Sequence, residues 1–158
     1  MRHRVNTKHL NIMKHLFCFL PLLLAGCVST QNIPVEDRAR TYDLDYDTVF
    51  DATVQMLAEQ GFAITDAEKE EGIINTDYRA EDRIFSFISG PTRRKISALV
   101  SNAPDGTQIL LNFDLQEFVD QSPGGGDGIY RSQALTPRVA RRYYREFFDA
   151  LEDYLPAE

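Results

Sequence analysis

The spacing of apolar residues changes period along this chain. Val49, Phe50, Thr53, Val54, Met56 and Leu57 recur at helical intervals, which gathers them into one wide stripe. Asp45 or Asp47 can cap such a helix, and Gly61 stands where a helix end favours glycine. A helix is therefore predicted over residues 46–60, preceded by a short strand at 41–44.

Strand patterns follow. Residues 62–66 and 72–78 alternate and are separated by the charged turn 67–71, so they read as a hairpin. Residues 83–89 read as a further strand or an apolar loop before Gly90-Pro91. Residues 94–101 and 107–118 are longer strand patterns, and Pro104-Asp105-Gly106 between them is a strong turn signal. These two should pair antiparallel. Residues 120–128, with Ser122-Pro123-Gly124-Gly125-Gly126, form a flexible excursion without the Lys and Ser/Thr of a phosphate loop. Two nearby acids, Asp120 and Asp127, are too few for a calcium loop.

The last pattern is a helix with Thr136 as N-cap, Pro137 at its first position and Pro156 marking its end. Its aromatic face, from Ala140 through Tyr143, Tyr144, Phe147, Phe148 and Leu151 to Tyr154 and Leu155, is expected to pack on a sheet. The pattern as a whole predicts an α+β domain over residues 41–155, with an antiparallel sheet of four to five strands packed against two helices, the C-terminal one long.

The first 26 residues have a different character. Arg2, Arg4, Lys8 and Lys14 precede an apolar run at 16–24, and no acid occurs before Cys27. That run is shorter than the ~20 residues a membrane span needs, and the arrangement is that of a secretory signal. Met13-Lys14-His15 opens directly onto the run, so the true start is Met1 or Met13. Residues 27–40 are polar and without period, and read as a flexible tether.

Cleavage before Cys27 changes the inventory of chemistry. It removes His3, His9, His15 and Cys18, leaving no histidine and no cysteine but Cys27 in 132 residues. Neither a Ser-His-Asp nor a Cys-His arrangement can be assembled, nor a usual zinc site, so no catalytic residue, metal or cofactor is expected. A pair of carboxylates could still serve an enzyme of the glycosidase kind, but no spacing singles one out. With 13 basic residues against 24 acidic ones, the processed chain carries a formal charge of about −11. That disfavours nucleic acid as a partner.

Charge order on the last helix is unusual. Arg138, Arg141, Arg142 and Arg145 crowd its start and Asp149, Glu152 and Asp153 its end, opposing the helix dipole at a cost of ~0.3–1 kcal/mol per unfavourable terminal charge. Pairs such as Arg142 with Glu146 and Arg145 with Asp149 would recover only tenths of a kcal/mol. The arginine group is either a solvated face or a binding surface for an acidic partner or anionic headgroups.

Leu24-Ala25-Gly26-Cys27 resembles the lipobox of bacterial lipoproteins. The resemblance implies that Cys27 is lipidated and anchors the chain in a membrane. Val28 is not the aspartate that resembles an inner-membrane retention signal, so the outer membrane, facing the periplasm, is expected over the periplasmic face of the inner membrane. Tyr42-Asp-Leu-Asp-Tyr-Asp-Thr-Val-Phe50, Gln60-Gly-Phe-Ala-Ile-Thr-Asp66 and Gly72-Ile-Ile-Asn-Thr-Asp-Tyr78 resemble the helix-grip lipoprotein domains of the BamC type. That resemblance implies a non-catalytic periplasmic domain that docks on other envelope proteins. The expected function is an accessory or adaptor subunit in envelope assembly, docking through a sheet edge, the glycine segment or the arginine group. The alternative is a binder of lipid or a small apolar ligand, with a cavity between sheet and C-terminal helix lined by Phe85, Phe87, Phe113, Tyr144 and Phe148. Oligomeric state is left open.

Overall fold

In a computed structural model, residues 33–81, 91–121 and 128–156 are described. The expected signal peptide, Cys27, the start of the tether, the strand or loop at 83–89 and most of the glycine segment lie outside them.

The chain order is α1 (Val35–Arg38), β1 (Ala39–Tyr42), α2 (Tyr46–Glu59), β2 (Ile64–Glu68), β3 (Ile73–Thr76), β4 (Arg79–Ala80), β5 (Thr92–Ala103), β6 (Gly106–Asp120), β7 (Gly128–Ser132) and α3 (Pro137–Glu152). Every strand pair is antiparallel. The sheet runs β1-β6-β5-β3-β2, with β4 also on β5 and β7 also on β6. The α+β class, the antiparallel sheet and the long C-terminal helix are those expected, but the sheet has seven strands instead of four or five. The additions, β4 and β7, span two and five residues, too short to show a period. They are held by the long central hairpin, which turns through Pro104 and Asp105 as its sequence indicates.

Alternation along that hairpin assigns the two faces. Ile96, Ala98 and Val100 of β5 and Ile109, Leu111, Phe113 and Leu115 of β6 are buried. Against them pack Val49, Phe50, Met56 and Leu57 of α2 and Tyr144, Phe147, Phe148 and Leu151 of α3. Asp45 caps α2 by accepting from the Thr48 amide at 2.9 Å. Thr136 occupies the N-cap position of α3, but its side chain makes no capping bond. Buried Thr76 extends the β3–β5 ladder with its hydroxyl, donating to the Ile96 carbonyl and accepting from the Ile96 amide.

Two glycines are required by close approach. Gly72 (φ 74) lies against the Val100 carbonyl, and Gly106 (φ 125) against that of Tyr42, where a Cβ would overlap the backbone. Both conformations are also costly for other residues.

Ordered structure begins before the expected boundary at 41. Ile33 is only 6% exposed and belongs to the core, α1 follows at once, and residues 39 and 40 already lie in β1. A four-residue helix has no stability of its own. α1 is held by tertiary partners that local sequence does not display, including an Asp37–Arg141 ion pair at 2.7 Å.

Candidate functional site

The arginine group does lie together on the first half of α3, but it is partly matched by acids. Arg141 donates from Nε to Asp37 Oδ2 at 2.7 Å. Arg142 Nε lies 3.5 Å from Glu146 Oε1, as expected. The anticipated Arg145–Asp149 pair is not formed among the described residues. Asp149 instead lies 3.9 Å from Arg40, which donates to Glu152 at 2.6 Å and covers the Phe148 ring at 4.7 Å. Arg138 and Arg145 stay exposed. A groove of about 270 Å³ between α1 and α3 is lined by Asp37, Arg40, Arg141, Arg145 and Phe148. Exposed ion pairs of this sort stabilise by at most ~1 kcal/mol; Asp37–Arg141 links α1 to α3, and Arg40–Glu152 links β1 to α3.

The residues expected to line a ligand cavity are core where they are described. Phe113, Tyr144 and Phe148 are buried in the main cluster, and the Phe113 and Tyr144 rings lie 4.7 Å apart. Phe85 and Phe87 are outside the described residues. Beside Phe113 a crevice of about 160 Å³ is lined by Gln60, Arg94, Ile96, Glu146 and Phe147. Arg94 occupies its wall, with Phe62, Phe113 and Tyr143 rings at 5.5, 5.7 and 4.9 Å from its guanidinium. Burial pulls the Arg94 pKa down, while Glu81 opposes the shift. Arg94 Nε and Glu81 Oε1 are 2.8 Å apart but not aligned as a hydrogen bond. This is a charge balanced inside an aromatic wall, and breaking such a pair is costly.

The sheet face turned away from the helices carries the feature that sequence reasoning missed. Its residues are the alternate positions of the same strands. Register places Ile73 opposite Leu99, Leu99 opposite Leu110, and Leu110 opposite Ala39. An apolar row thus crosses four strands, and its Ile73, Leu99 and Leu110 line a shallow groove of about 230 Å³ together with Arg38, Asn75, Ser97 and Asn112. Leu99 within it is 43% exposed.

A second group lies further along β6. Arg93 donates from Nε and Nη2 to Gln116 Oε1 at 2.9 and 2.7 Å. Its guanidinium also sits 4.4 Å from the Tyr78 ring and 3.8 Å from that of Tyr130. Tyr78 donates to Asp114, and Gln116 donates to the Tyr78 oxygen at 2.6 Å. Ser132 joins through Asp114 at 3.2 Å. Desolvation first, then the Asp114 hydrogen bond, pushes the Tyr78 pKa up to about 12. Tyr78 therefore keeps its proton at neutral pH and acts as a fixed donor, not a base. Tyr130 on β7 is 40% exposed, and Phe118, opposite it on β6, packs edge-on to it at 5.4 Å.

The visible signal for this face was Leu99 on the polar phase of β5, together with Leu110 and Phe118 on that of β6. Among the described residues no group of three or more His, Cys, Asp or Glu is placed to hold a metal, and no helix is long and apolar enough to cross a membrane. No protein-family model matches the chain, and no curated protein matches it significantly.

Proposed function

We propose that this is a lipid-anchored, non-catalytic envelope lipoprotein that serves as an adaptor in periplasmic or outer-membrane assembly, and that it engages its protein partner with the open face of the sheet. One observation carries the reading: large apolar side chains, Leu99 above all, are held in register on the face turned away from α2 and α3, where only Arg38 at the end of α1 borders the groove. Contiguous exposed apolar surface rimmed by polar groups marks interaction sites. The Arg93–Tyr78–Tyr130 group supplies the rigid aromatic and arginine contacts that interfaces favour. The lipobox-like Leu24-Ala25-Gly26-Cys27 and the likeness to BamC-type domains support the same reading, the first by fixing the address.

A photo-crosslinking residue placed at Leu99 or Tyr130 in intact cells should yield a discrete adduct with one envelope protein. The same residue at Glu70, on the opposite acidic turn, should not. Adducts of equal identity and yield from all three positions, or none from any, would overturn the proposal.

A further inference from the structure

We infer that the α1–α3 end of the domain lies on the anionic lipid surface of the membrane that holds it, with the acidic β2–β3 end pointing away. This rests on the anchor at Cys27, and deepens the arginine-group expectation by giving it a geometry and one occupant.

Chain length supplies the first argument. Only residues 28–32 separate Cys27 from Ile33, which is already built into the core. Six Cα steps of at most ~3.6 Å reach about 22 Å. A folded domain of 100 residues has a radius of gyration of about 13 Å and would not fit beneath such a leash. The surface next to Ile33 is therefore held on the membrane side of the domain.

Charge supplies the second. Beside Ile33, α1 presents Val35, an apolar residue 52% exposed; in the α1–α3 groove, also lined by Glu36, Arg141 is paired with Asp37 and Arg40 with Glu152, which leaves Arg145 as the groove's unmatched cation. Arg138 is exposed on the same stretch of α3, and neither it nor Arg145 has an ion-pair partner among the described residues. The far side is the reverse. β1 and β2 are opposite ends of the strand path; Asp66, Glu68, Glu70 and Glu71 crowd the β2–β3 turn, and Lys69 within it is paired with Asp47 and Asp51 of α2. Asp66 and Glu71 push the Glu68 carboxyl pKa up by repulsion. An acidic domain held close to anionic headgroups is repelled by that end and attracted by its arginines, within a Debye length of ~8–10 Å.

The processed chain has no thiol besides the lipid-bearing Cys27, so Val35→Cys and Glu70→Cys each provide one labelling site. Full-length lipidated protein is inserted into vesicles of mixed phosphatidylglycerol and phosphatidylcholine, with a fluorophore at either site and a nitroxide quencher on the headgroups. Quenching is expected at position 35 and not at 70. It should weaken when phosphatidylglycerol is omitted or salt is raised. Arg138→Glu with Arg145→Glu should reduce it about fivefold or more, since one basic residue near an anionic surface is worth about that factor, while flotation with the vesicles persists.

Equal quenching at both sites, quenching at 70 alone, or quenching at 35 indifferent to lipid charge would overturn the orientation and leave the anchor standing. No quenching at either site in floated protein, with crosslinks from position 145 to a protein in cells, would assign this surface to a protein partner instead. Wild-type protein that does not float at all would remove the anchor and this inference with it.

Discussion

The two faces of the sheet are made from alternate residues of the same two long strands, yet they are ordered by different forces. On the inner face, Ile96, Ile109, Leu111 and Phe113 are fully enclosed by α2 and α3, and apolar burial holds them. On the open face, side chains are held by one another. Arg93 is fixed between two tyrosine rings and Gln116, and Tyr78 is tied to Asp114. The inner face therefore stores stability, whereas the open face presents fixed groups whose free energy is still available for binding. Mutations should separate the two: inner changes should cost stability, and open-face changes should cost interaction.

The largest effect is expected from Phe113→Ala, which leaves a void beneath Tyr144 and Phe147 and should destabilise by about 3–5 kcal/mol in denaturant unfolding. Slightly less, about 3 kcal/mol, is expected for Arg94→Met, because Glu81 is then left nearly buried without its counter-charge. Arg94→Met with Glu81→Gln should recover most of that loss. A double variant no more stable than the single one would show that the aromatic wall, not the ion pair, needs the arginine.

On the open face the costs fall. Tyr78→Phe should destabilise by about 1 kcal/mol, the net worth of one hydrogen bond. It also carries a pH signature. With the Tyr78 pKa raised from 10.0 to about 12, its stabilisation is complete below pH 10 and is lost as pH rises through 12. The difference in stability between wild type and Tyr78→Phe should shrink over that window, and a difference independent of pH would mean the hydroxyl is not the source. Leu99→Asp should change stability least, by under ~0.5 kcal/mol. A large loss would show Leu99 to be part of the core economy and would erase the distinction between faces.

Much of this architecture was legible in the residues because long periodic segments dominate it. The stripe from Val49 to Leu57, the Asp45 cap, the Pro104-Asp105-Gly106 turn and the aromatic face of α3 each announce their element locally. β4, β7 and α1 do not, since each is shorter than one reliable period and exists through long-range pairing such as Gln116 with Ser132 or Arg141 with Asp37. The candidate site was less legible for the same reason. Arg93, Gln116 and Tyr130 come from three strands and Tyr78 from the link between β3 and β4, and only the sheet's pairing joins them. The arginines were visible on one helix, but the pairing of Arg141 with Asp37 came from another element.

The most direct test is the paired crosslinking of the open face in intact cells. From a photo-crosslinker at Tyr130, which register places on the open face beside Phe118, the account predicts one envelope-protein adduct that disappears in a Leu99→Asp background while the melting temperature and membrane fractionation stay at wild-type values. An adduct that survives Leu99→Asp unchanged in a stable, anchored protein would contradict the claim that the open sheet face is the docking surface.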